Sequence, residues 1–206
     1  GIFVKIGQRH EQTKLAVVSH FLEHMLFKGT ATRSALEIAK SIDKVGGELN
    51  AYTSREYTCF HVTLLARDVG LAFDILTDIL LNSVFDSDEF ERERKVVLQE
   101  IAMVEENPEE LAYDLFFERV YGRHGLGSHI LGTEASIRRL TRAQLVAFFR
   151  TYYSPENIVV SVAGDVPHQR VARKLRELTR RPWPGRVKGW RRKVIRDGAP
   201  RARNGF

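Results

Sequence analysis

The 206 residues contain a single cysteine, Cys59. An internal disulfide and a metal site built on several thiolates are therefore excluded. No apolar run approaches 18 residues, so the sequence predicts no transmembrane helix and no membrane partner. No segment repeats at a period of 20–50 residues, which argues against a solenoid or propeller. Neither an initiator Met nor a basic-then-apolar leader precedes Gly1-Ile2-Phe3-Val4, so no signal peptide is visible and the chain is expected to begin inside a strand, as a fragment. A basic excess is missing from most of the chain, despite a net charge of +6. Residues 186–206 carry eight basic side chains and one acid, Asp197. The first 185 residues hold 24 basic and 25 acidic groups. The body is thus expected to bind no nucleic acid.

What is present is ordinary for a globular protein: 43% hydrophobic and 28% charged residues. That composition excludes a disordered or collagen-like chain. The length allows one good-sized domain or two small ones. We expect a body over residues 1–185, closed by Pro182-Trp183-Pro184-Gly185. A basic tail or linker, disordered, is expected over 186–206.

Periodicity and capping residues predict the elements. Strands are expected at Ile2 to Gly7, Glu48 to Ser54, Tyr57 to Ala66 and Ile158 to Ala163. A largely buried helix is expected from Gln12 to Lys28. A second, from Ser34 to Val45, carries the Ser34/Glu37 capping box. Further helices are expected at Arg67 to Leu81, Ser87 to Glu106 (capped by Ser87), Pro108 to about Val120, Thr141 to Tyr153 and Gln169 to Arg180. Gly122 to Gly132 reads as a loop. Helix pairs alternate with adjacent strands instead of following β-α-β order. The predicted class is α+β, a largely antiparallel sheet with helices packed on one face.

The sharpest chemical signal is His20-Phe21-Leu22-Glu23-His24. Residues four apart on a helix share a face, so His20 and His24 project together and can reach one Zn²⁺. Glu23 borders that face, within reach of a water on the metal. A zinc ion lowers the pKa of its water towards about 7, and a neighbouring carboxylate can take the proton. A catalytic zinc wants a third protein ligand and an open position. The candidates lie in Glu91 to Ile101. Glu93 and Glu100 are two helical turns apart and face the same way, and spacing alone does not choose between them.

The segment His20 to Thr30 resembles the active-site helix of the pitrilysin and mitochondrial processing peptidase family of zinc metallopeptidases. Glu100 stands 76 positions after His24, and the family's third zinc ligand is a helical Glu at about that separation. The resemblance therefore implies His20, His24 and Glu100 as metal ligands and Glu23 as general base. It also implies Glu93 as a supporting active-site carboxylate. Asn50-Ala51-Tyr52-Thr53 is similar to the family's edge strand, which holds an extended peptide substrate by β-augmentation. Gly132-Thr133-Glu134 and Asn157 to Asp165 match as well, so the likeness covers roughly Phe3 to Val166. It implies a zinc-dependent endopeptidase, the peptidase half-domain of the processing type. It implies further partners: a second homologous half, a separate subunit or a homodimer mate. The chain by itself is then expected to cleave peptides weakly or not at all. The competing expectation is a non-catalytic partner subunit, as the family also contains.

Other features invite plainer readings. His10, His61, His124, His129 and His168 are expected to be structural or exposed. Cys59 is expected to pack inertly on its strand. The glycine-rich loop at 122–132 follows no strand and lacks a Lys-Ser/Thr end, so phosphate binding is not expected. One cysteine is compatible with a reducing compartment such as the cytoplasm and decides nothing.

Overall fold

A computed structural model describes residues 1–11 and 15–185. The expected basic tail lies outside the described residues. Four strands form one antiparallel sheet in the order β2-β3-β1-β4: β1 Ile2–Val4, β2 Glu48–Thr53, β3 Thr58–Thr63 and β4 Ile158–Val160. Ala51, Phe60, Ile2 and Val160 share one register line across it.

Alternation along the strands sends Ile2, Val4 and Phe60 into the core. Phe3, Tyr52 and Val159 take the opposite face, where Tyr52 and Val159 are exposed. One face is thus dry and helix-covered, as expected. α1 (Val18–Leu26), α2 (Ala35–Asp43) and α3 (Val69–Asn82) lie against β2 and β3. α4 (Ser87–Glu106) packs on the outside of α1 and carries α5 (Pro108–Tyr121) and α6 (Glu134–Arg139). α7 (Arg142–Tyr152) also touches α1, and α8 (His168–Arg180) ends the described chain. α1 is therefore sandwiched between the sheet and two outer helices. Its residues Val18, Phe21, Leu22, Met25 and Leu26 are fully buried.

Strands β1 and β4 end at Val4 and Val160, short of the expected Gly7 and Ala163, and three points about the helices also differ from expectation. α1 begins at Val18, not Gln12. The Glu11 carboxylate accepts from the amides of Val17 and Ser19, each at 2.7 Å. Val17 sits at φ +86°, a left-handed conformation from which a β-branched residue does not extend a helix backwards. α4 is capped by Asp86, not Ser87; its side chain accepts from the amides of Asp88 and Glu89. α6 was not expected. Thr133 caps it through a box closed by Ser136, a variant of the usual Glu or Gln partner. Among the described residues no helix is long and apolar enough to cross a membrane.

Candidate metal centre

The 3.6-residue repeat divides α1 in two. Its apolar positions face the core, and His20, Glu23 and His24 face outward between sheet and α4. The imidazole rings of His20 and His24 stand 4.6 Å apart, centroid to centroid. On α4 the buried stripe is Phe90, Glu93, Val97 and Ile101. This stripe seats α4 on α1 and carries Glu93 and Glu100 to the histidines.

His20, His24 and Glu100 each offer a ligand atom within 4.8 Å of the others. Glu100 Oε2 lies 3.8 Å from His20 Nε2 and 3.6 Å from His24 Nε2. Those separations are too long for hydrogen bonds. Glu93 takes a different place: its Oε2 meets His24 Nδ1 at 3.0 Å, on the far side of the ring. Its Oε1 lies 2.7 Å from Lys28 Nζ. Glu23 Oε2 accepts a 2.5 Å hydrogen bond from Thr53 Oγ1, which ties the carboxylate to strand β2.

The electrostatics follow from burial. Desolvation, aided by the neighbouring His24, pushes His20 down to about 3, so its ring is neutral with a lone pair to offer. Burial also raises Glu23, opposed by the Thr53 bond and by His24. It raises Glu100 against the pull of His24, with Glu93 adding repulsion. Glu93 goes the other way. Burial works against its charge, but the bonds to His24 and Lys28 prevail and hold it below the usual carboxylate range. His24 is raised, because the Glu93 bond and three nearby carboxylates outweigh its desolvation.

Two buried atoms of the cluster, Glu100 Oε2 and His20 Nδ1, have no hydrogen-bond partner among the described residues. An unpaired buried carboxylate oxygen is costly. Two neutral-capable imidazole nitrogens and an orphaned carboxylate oxygen make a donor set that fits a divalent cation of zinc's preferences.

An open cleft of 650 Å³ adjoins the cluster. His20 and Glu23 form its floor, Ala51, Tyr52 and Thr53 one wall, and Asn107, Tyr113 and Asp114 the other. Asn50 does not line it; its Oδ1 accepts from the Ala51 amide at 2.8 Å. Three contacts escaped the sequence reading, in which Thr53 was expected only as part of the substrate-binding strand. Glu11 caps α1, Thr53 holds Glu23 through its hydroxyl, and Lys28 holds Glu93. For Lys28 a signal existed, because it follows His24 by four residues. For Thr53 the strand alternation placed it with Leu49 and Ala51 on the helix-covered face. Glu11 had no local signal.

Residues 1–134 match the family profile described as Insulinase (Peptidase family M16), and residues 139–196 match that of the Peptidase M16 inactive domain. The chain belongs to peptidase family M16. It is 43% identical over 166 residues to an uncharacterized zinc protease, YmxG, of Bacillus subtilis, covering 81% of this chain and 41% of the relative. With an uncharacterized zinc protease of Mycobacterium leprae it shares 45% over 177 residues, covering 86% and 40%. A protease from Helicobacter pylori has a solved structure that superposes with a TM-score of 0.81 at 30% identity, over 86% of this chain and 42% of that one. Pitrilysin shares the fold, with a TM-score of 0.76 at 21% identity over 86% and 20%. The chain thus spans about two-fifths of the length of the curated relatives it matches.

Proposed function

We propose that this chain is the zinc-holding catalytic half of a metalloendopeptidase. His20, His24 and Glu100 hold the metal, Glu23 acts as general base, and Glu93 braces His24 from behind. The observation that carries the reading is the convergence of three ligand atoms beside Glu23, at the floor of a cleft bordered by an edge strand. The ligand set lies wholly in the segment that matches the insulinase profile, and the inactive-domain match begins later. This supports a catalytic half over a non-catalytic partner subunit.

Zinc, when bound, supplies a Lewis acid that acidifies water and polarises a peptide carbonyl. The rest is done by the chain. With Oε2 held by Thr53, Glu23 has Oε1 to take the proton of the attacking water and pass it to the leaving amine. A burial-raised pKa suits a group that must both accept and return a proton. Among the described residues strand β2 pairs only with β3 in the sheet. Its outer edge is therefore available to an extended peptide, laid down by backbone hydrogen bonds along Asn50 to Thr53. A second homologous half, whether covalent, a separate subunit or a homodimer mate, would close the cleft. The chain by itself should then hydrolyse peptides weakly or not at all.

The test is metal content followed by activity. Elemental mass spectrometry of the purified, folded chain should find close to one zinc per chain. Glu23→Gln should keep that zinc. When joined to the second half it should lose about 10²–10⁴-fold in peptide hydrolysis. Folded protein without zinc, or a Glu23→Gln variant with full activity, would overturn the reading.

A further inference from the structure

A histidine presents one ring nitrogen to a metal most firmly when the other is held by a partner. The two histidines of the cluster differ in this respect. Nδ1 of His20 is buried without a partner, whereas Nδ1 of His24 faces Glu93. Glu93 is only 4% exposed. Burial makes the charge of such a carboxylate costly, and a cation on its second oxygen offsets that cost and fixes its orientation. The arginines beside it on α4 are engaged elsewhere. Arg92 pairs with Glu89, and Arg94 pairs with Glu91 and donates to the Leu140 carbonyl at 2.9 Å.

The cation that meets Glu93 is Lys28. It lies one helical turn beyond His24, just past the end of α1, and its own amide is bonded to the Met25 carbonyl at 3.2 Å. The backbone under it is therefore fixed. Its Nζ takes Glu93 Oε1 and His24 takes Oε2, so each carboxylate oxygen has one partner. Lys28 does not line the cleft and is not among the ligand atoms.

We propose that Lys28 is a positioning residue for the metal centre: it clamps Glu93, which in turn holds the His24 ring with Nε2 turned towards Glu100. This rests on the zinc reading above. Removing the clamp frees the carboxylate to rotate and the ring to follow, with no ligand changed.

Zinc affinity, read by competition with a chromophoric chelator, tests the proposal in the 206-residue chain. Lys28→Met and Lys28→Gln should each weaken zinc binding about tenfold, the low end of what outer partners of a ligating histidine contribute. Lys28→Arg, which keeps the charge, should restore most of the loss. In a Glu93→Ala background, Lys28→Met should have no further effect. Unchanged affinity in both Lys28 variants, or an equal loss without Glu93, would overturn the proposal. A second readout needs no metal. At a pH where the rings are neutral, ¹⁵N spectra should place the His24 proton on Nδ1 in the wild type and in Lys28→Arg. In Lys28→Met it should spread over both nitrogens. An unchanged His24 tautomer there would count against the clamp. A wild-type chain that takes up no zinc would overturn the reading of the site, and the nitrogen spectra would still decide the role of Lys28.

Discussion

Two buried polar clusters flank helix α1, and they are built on opposite plans. Beyond its C-terminal end, Asp78 on α3 is 4% exposed. It accepts from Thr30 Oγ1 at 2.8 Å, Thr32 Oγ1 at 2.9 Å, Arg33 Nη1 at 2.8 Å and Asn82 Nδ2 at 2.7 Å. Burial opposes its charge, but these bonds prevail and its pKa is lowered. On the outer face of the same helix, Glu23 and Glu100 are raised, His20 is driven down, and two buried atoms lack partners. A closed network stabilises a fold and rigidifies it. An open one destabilises the chain that carries it, and persists where something outside the chain completes it. The contrast is the physical reason for reading the first cluster as structure and the second as a site.

The comparison can be broken by substitution. The largest effect is expected at the closed cluster. Asp78→Asn should lower folding stability by about 2 kcal/mol at neutral pH, because it removes the charge that four donors converge on and leaves Arg33 with Asp74 alone as its partner. The folded pKa lies below the ordinary 3.8. The charge therefore contributes fully above that value, and its contribution is lost as pH falls through the depressed folded value. Urea unfolding of both proteins between pH 7 and pH 3 should show the gap narrowing only at the acid end. A gap that stayed constant would mean that the Asp78 charge is not what holds the network.

The open cluster should respond with the opposite sign. Glu100→Gln should abolish zinc binding yet raise the thermal midpoint of the metal-free chain by a few degrees, on the order of 1 kcal/mol or less for a chain of this size. Calorimetry on chelator-treated protein checks it. A lowered midpoint would show that Glu100 serves the fold after all.

The smallest effect is expected at the join between sheet and site. Thr53→Val removes the hydrogen bond that opposes the burial-driven rise of Glu23. The pKa of Glu23 should then rise further. Since the base must be ionised, the acid limb of kcat/KM in the complete enzyme should move to higher pH while zinc affinity stays put. An unmoved limb would separate Thr53 from the base.

Local order was legible. The Ser34/Glu37 box, the Thr141 cap, Pro108 at the start of α5 and the alternation through Phe60 all act within a few residues. The start of α1 was not, because Glu11 stops the helix from outside it, across residues 12–16, with Val17 left-handed. Nor was the cap of α4, where two adjacent residues could both serve and the backbone chose Asp86.

For the site, the sequence by itself determined that His20, Glu23 and His24 share one side of a helix. It also determined that Glu93 and Glu100 share one side of another, since 3.6 residues per turn permits little else. Only the tertiary structure decided which carboxylate meets which nitrogen. Glu100 lies towards the Nε2 atoms of both histidines, and Glu93 lies behind His24 with Lys28 on its other oxygen. That choice depends on how α4 is docked along α1 by Phe90, Val97 and Ile101. A slide of two turns would bring one acid to the other's place, and no spacing along either helix records the docking.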